Sequence, residues 1–149
     1  MTGTAGSPAA GVREARPASG RTRTFTIKLP AGIQILSLND RAHWAARNRH
    51  GQVIRDAAII MTRKAKVPHL ERVTITAEYR PPDRRYRDAD NISAGVKYAI
   101  DGIVAAGVLK GDDKRYVARV SCEIGEPVPR GQLVLRVTEV TDETTAGVA

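Results

Sequence analysis

The pattern of apolar residues predicts an α+β domain, a small mixed β-sheet with two main helices packed on it, in the order β-α-β-α-β-β. Three observations carry this expectation. Residues 51–66 and 92–107 repeat apolar positions at helical spacing. Four shorter segments carry the apolar-rich or alternating pattern of strands. Strands and helices interleave and then two strands follow each other, which suits helices laid on one sheet.

Residues 25–29 (FTIKL) alternate and read as the first strand, closed by Pro30 and Gly32. Ser37, Leu38, Asn39 and Asp40 give a turn or cap signal. In the first helix Val53, Ile54, Ala57, Ala58 and Met61 share a face, and Val67-Pro68 stops it. Residues 72–80 (RVTITAEYR) are the clearest strand, with Val73, Ile75, Ala77 and Tyr79 on one side and Pro81-Pro82 at its end. Val96, Ala99, Ile100, Ile103 and Val104 form the apolar face of the second helix, and Gly107 is placed to cap it. Residues 116–124 and 132–140 read as two more strands, and EPVPRG between them suggests a hairpin.

At 149 residues the chain fits one domain. Residues 1–23 are rich in Gly, Ala, Ser, Thr, Pro and Arg without apolar periodicity and read as a disordered basic arm. Residues 141–149 read as a flexible tail, which leaves 24–140 as the domain. The formal net charge is +8, and because the arm (+3) and the acids at Glu139, Asp142 and Glu143 (−3) cancel, 24–138 alone also carries +8. A positive domain favours a polyanionic partner, most often nucleic acid. Cys122 is the single cysteine, so an internal disulfide and a cysteine zinc cluster are excluded, and it reads as a small core residue. No apolar h-region or bilayer-length run is evident, so the expectation is a cytoplasmic protein without membrane contact.

Residues 80–113 concentrate Asp88, Asp90, Asp101, Asp112 and Asp113 within a basic protein. Asp88 and Asp90 stand two apart, and on extended backbone residues i and i+2 share a face. Two carboxylates so placed can hold Mg²⁺, which prefers hard oxygen ligands, and Asp112 with Asp113 can complete the set. An ion held this way activates water for attack on a phosphodiester. The same residues also make ordinary structure: Asp-x-Asp-Asn before a helix is an N-cap, and Gly-Asp-Asp-Lys is a turn. Lys97 and Asp101, spaced i, i+4, form either a helix-surface ion pair or a phosphate-contacting lysine with its orienting carboxylate. Arg80, Arg84, Arg85 and Arg87 precede the acidic pair and suit phosphates. His43, Trp44, Arg47, Arg49 and His50 combine positive charge with one ring that can stack on a base or pack in the core.

The run DRRYRDADN, followed by Lys97, Asp101, AAGVL and Asp112-Asp113, resembles the RusA family of Holliday-junction resolvases, small dimeric endonucleases of bacteria and their phages. LPAGIQILSLN and GQLVLRVTEV are similar to the family's first and last segments, so the resemblance covers roughly residues 25–140. It implies a RusA-like fold and paired symmetric nicking of four-way junction DNA in recombination and repair. It also implies Mg²⁺ or Mn²⁺ as cofactor and a homodimer. Asp88, Asp90 and Asp113 are the implied catalytic carboxylates, with Asp112 assisting at the metal, and Lys97 is the implied essential lysine. Arg84, Arg85, Arg87, Arg47 and Arg49 are the expected DNA contacts. The chain departs from the family's commoner form in placing Lys97 seven residues after Asp90 and not four, which lengthens the segment at Ile92–Gly95. Two other readings stay open: a branched-DNA-binding accessory protein without catalysis, and a nuclease acting on forks or flaps.

Overall fold

A computed structural model describes residues 22–35 and 44–141. Its elements are β1 (Thr24–Lys28), α1 (Trp44–Lys64), β2 (Val73–Arg80), α2 (Ser93–Ala105), β3 (Val117–Ile124) and β4 (Gln132–Glu139). A 3₁₀ turn at Ala89–Ile92 leads into α2. This is the expected α+β arrangement, a four-stranded mixed sheet with two helices. The expectations for the basic arm up to residue 21, the turn at 37–40, His43 and the tail from 142 lie outside the described residues, as does the stacking expectation for the Trp44 ring.

The sheet order is β1-β4-β2-β3. β4 pairs antiparallel with both β1 and β2, and β3 pairs parallel with β2. The hairpin expected between β3 and β4 is therefore absent: the two strands are not neighbours. Burial explains the outcome. β4 carries Leu133, Val134, Leu135 and Val137, all buried, and such a strand belongs in the middle of a sheet. β3 exposes Arg119, Val120 and Glu123 and suits an edge. The connection carries the chain across the end of β2, where the Gly125 amide donates to Tyr79 O (2.8 Å) and the Val128 amide to Pro81 O (2.9 Å). The Pro-rich EPVPRG segment is thus a bridge over one strand.

Parallel pairing of β2 with β3 needs a crossover, which α2 supplies. The crossover lays α2 alongside β3, so that Lys97 on α2 meets Asp112 from the loop before β3 across a groove between them. β2 alternates buried and half-buried residues along its whole length, the period expected of a strand packed on one face. On its inner side Val73, Ile75, Ala77 and Tyr79 join Phe25, Ile27, Leu133, Leu135 and Val137 against Ile54 and Ala58 of α1 and Val96, Ala99 and Ile103 of α2. The opposite face, with Thr24, Thr26, Thr74, Thr76, Arg136 and Thr138, is polar and half-buried.

α1 begins at Trp44, seven residues before the expected start. Its first two turns (WAARNRH) contain Ala and Arg, strong helix formers, but lack an apolar stripe, so periodicity misses them. α1 and α2 cross closely at Gly102, where a Cβ would lie 2.5 Å from the Arg55 carbonyl oxygen and 2.7 Å from the Ala58 Cβ. Gly107 ends the α2 segment at φ +95°, the left-handed residue expected there.

Candidate metal and nucleic-acid site

The loop from Pro81 to Asp88 is organised by Asp83. Its Oδ1 accepts from the Arg85 amide at 3.0 Å and from Arg87 Nη1 at 2.8 Å. Arg87 also donates to the carbonyls of Asp83 and Arg85. The hydrogen bond from Arg87, followed by that from the Arg85 amide, holds the Asp83 carboxyl down at about 2. Of the expected phosphate contacts, Arg87 is thus largely spent on ordering its own loop, whereas Arg84 and Arg85 stand out in solvent. Arg84 meets Glu126 at 3.4 Å, an exposed pair of little energetic weight. Arg80 instead pairs with Glu78 on β2, and Arg136 joins them. Burial works to raise the Glu78 carboxyl, but the hydrogen bonds from Arg80 and Arg136 outweigh it and lower the pKa.

Asp88 is extended (φ −90°, ψ 126°), but Ala89 and Asp90 already belong to the 3₁₀ turn. The expected strand-like pair therefore does not form. Instead Asp88 Oδ1 caps the turn by accepting from the Asp90 amide at 3.1 Å. Asp88 faces a groove of about 620 Å³ whose walls include Tyr79, Tyr86 and Asn91. Asp90 lies toward the β3 side, where its charge adds to the burial that raises the Cys122 thiol. Cys122 is half-buried, packed against the edge of the core and also on the wall of a second, smaller groove.

That second groove, about 200 Å³, is lined by Ser93, Val96, Lys97, Asp112, Val120 and Cys122, with two further apolar side chains. Lys97 reaches Asp112 with Nζ to Oδ2 at 3.1 Å. The i, i+4 pairing with Asp101 gives way to this longer-range ion pair, and Asp101 acts on Lys97 through its charge alone. The hydrogen bond it donates to Asp112 raises the Lys97 pKa above its ordinary value. Burial raises the Asp101 carboxyl, Lys97 opposes the rise, and the Asp112 charge adds to it.

Asp113 goes elsewhere. Its carboxylate takes a two-pronged ion pair from Arg115, at 3.0 and 2.9 Å, and also accepts from the Arg115 amide at 2.9 Å. These bonds hold its pKa down. The family resemblance implies Asp113 as the third carboxylate, whereas Asp112 is the one that meets Lys97. Arg47 and Arg49 lie in the first two turns of α1, Arg47 half-buried and Arg49 exposed.

Two residues carry weight in the structure that the sequence pattern does not assign them. Asp83 anchors the arginine loop, and the Pro-Pro-Asp turn signal around it could have marked it. Tyr86 is 90% exposed at the rim of the larger groove. An aromatic inside an arginine run is visible in sequence, but its exposure is not.

By chemistry the aspartates suit a hard cation, all being oxygen donors. By position they are divided: Asp88 caps the 3₁₀ turn that contains Asp90; Asp112 and Asp101 act on Lys97; and Asp113 is held by Arg115. Among the described residues no three His, Cys, Asp or Glu side chains gather closely enough to hold a metal ion. No described helix is long and apolar enough to cross a membrane. No protein-family model matches the chain, and no curated protein matches it.

Proposed function

We propose that the chain is a structure-selective endodeoxyribonuclease of the RusA type, cutting branched DNA at phosphodiester bonds with paired nicks. The observation that carries this reading is the ion pair of Lys97 with Asp112, from two separate segments, on the wall of one groove, with the charge of Asp101 acting on Lys97 and that of Asp90 on Cys122 of the same wall. An ammonium set among carboxylates on a basic surface suits a scissile phosphate. Lys97 stabilises the charge that grows on the phosphate oxygens, and Asp112 and Asp101 keep it protonated and oriented. Arg84 and Arg85, with Arg47 and Arg49 on α1, hold the flanking backbone. By chemistry Asp90 and Asp112, with Asp88 and Asp113, would be the donors for Mg²⁺ or Mn²⁺, which would require them to gather and Asp113 to leave Arg115. Such an ion would supply an activated water and countercharge for the leaving oxygen. A homodimer offers two equivalent sites, matching two symmetric strands of a four-way junction.

The test is a mobile four-way junction incubated with the chain and Mg²⁺, beside linear duplex. The expected result is paired nicks in the junction only, abolished by EDTA and by Asp90→Asn, with junction binding retained in both cases. A specific observation favours a second reading, a branched-DNA-binding protein without catalysis: Asp88 caps a turn, Asp113 is bound to Arg115, and no three described carboxylates gather. Tight junction binding without metal-dependent cutting would select that reading. Cutting of forks or flaps in preference to junctions would change the substrate and keep the chemistry.

A further inference from the structure

Tyr86 is the most exposed large apolar side chain among the described residues, at 90%. An unsupported loop would let such a ring fold back. Here Asp83 ties down the residues on both sides of it, accepting from the Arg85 amide at 3.0 Å and from the Arg87 guanidinium at 2.8 Å. Tyr86 is left at the apex, at the rim of the groove of about 620 Å³. The groove has an apolar floor in Ile35, Tyr79 and Ile92 and hydrogen-bonding groups in Asn91 and Asp88. This combination resembles a small-ligand site, with apolar walls and a few polar groups. Arg87 lines the groove, and Arg84 and Arg85, each 80% exposed, add positive charge on the same loop just before Tyr86. The occupant that answers all three features is a nucleobase still attached to its phosphates.

We propose that Tyr86 is a stacking platform for an unstacked base of DNA, which the groove behind it receives while Arg84 and Arg85 hold the adjoining phosphates. The proposal rests on the branched-DNA reading, since bases at a branch leave the stack at lower cost than bases in continuous duplex. It names a recognition residue for that substrate and is independent of cutting.

The experiment measures binding in EDTA to a single-stranded oligodeoxynucleotide carrying 2-aminopurine, and to a four-way junction labelled at the branch or in mid-arm. The wild-type chain, Tyr86→Ala, Tyr86→Trp and Tyr86→Arg are compared. The expected result is quenching of the single-stranded and branch labels by wild type and Tyr86→Trp. Tyr86→Ala should bind the single strand about tenfold more weakly, the scale of one lost base–aromatic stack. Tyr86→Arg should bind without quenching. Equal affinity and equal quenching across the four proteins would overturn the proposal, as would failure of the wild-type chain to bind either probe. Tyr86-dependent binding without cutting in Mg²⁺ would sink the nuclease reading while upholding the stacking site.

Discussion

Asp83, Asp88 and Asp113 each accept a hydrogen bond from the backbone amide two residues on, the local geometry short carboxylates adopt in turns. Asp101 and Asp112 are instead arranged around Lys97. All five are the same residue, and spacing alone does not sort them, because a cap and a ligand need the same short acidic side chain. Asp101 allows a test by pH. Burial raises its folded-state pKa above the ordinary carboxylate value, so the native state binds its proton more tightly than the unfolded state. Its contribution to stability is present at low pH and is lost as pH rises through the folded pKa. Asp101→Asn removes that loss. Thermal melts should place the variant above wild type at neutral pH, with the gap closing as pH falls through the raised folded pKa and gone below about 4. A gap that stayed constant with pH would show that the carboxyl is not strained by its surroundings.

At the level of elements, the crossing of α1 and α2 sets where the site lies, because it fixes the flank of α2 that carries Lys97. That crossing depends on Gly102, whose missing side chain admits the Arg55 carbonyl. Gly102→Ala adds helix propensity worth about 1 kcal/mol, but forcing a methyl into packed backbone costs about 1–3 kcal/mol. The expected net effect in urea unfolding is destabilisation of about 1 kcal/mol. The α1–α2 pairing would have to be looser than described if the variant were instead more stable. Gly107→Ala offers a contrast, since nothing lies within 4 Å of its added carbon and only the φ of +95° resists it. Its cost should be about 1 kcal/mol from backbone strain alone.

Across the whole molecule, the +8 charge sits in the domain as much as in the chain. DNA binding by such a surface should weaken steeply with salt, and the slope of log affinity against log salt counts the phosphates neutralised. Removing residues 1–22 deletes Arg13, Arg16 and Arg21 but spares Arg23, which bonds Glu139 at 3.0 Å and lies 5.5 Å from the Phe25 ring centroid. On the proposed nuclease reading, the truncated chain should keep its fold and cut junctions, bind them several-fold more weakly and give a slope shallower by at most about 3. Filter binding at three salt concentrations checks this. Loss of all cutting would make the arm part of the site.

The elements are legible in the amino-acid order alone. Periodicity of 3.6 or 2 is written residue by residue, so both helices, all four strands and the Gly107 stop can be read from it. The mixed acidic and basic stretch from Arg80 to Asp113 is equally plain there as the place to look for chemistry. The position of β4 between β1 and β2 is not, and emerges only when the chain is folded. A short Pro-rich connection fits a hairpin as well as a bridge, and the choice depends on which strand can be buried on both faces. The same holds for the site: Asp112 and not Asp113 meets Lys97, and Tyr86 stands in solvent, because side-chain partners fifteen residues apart are set by the turn after α2 and by the sheet beneath it.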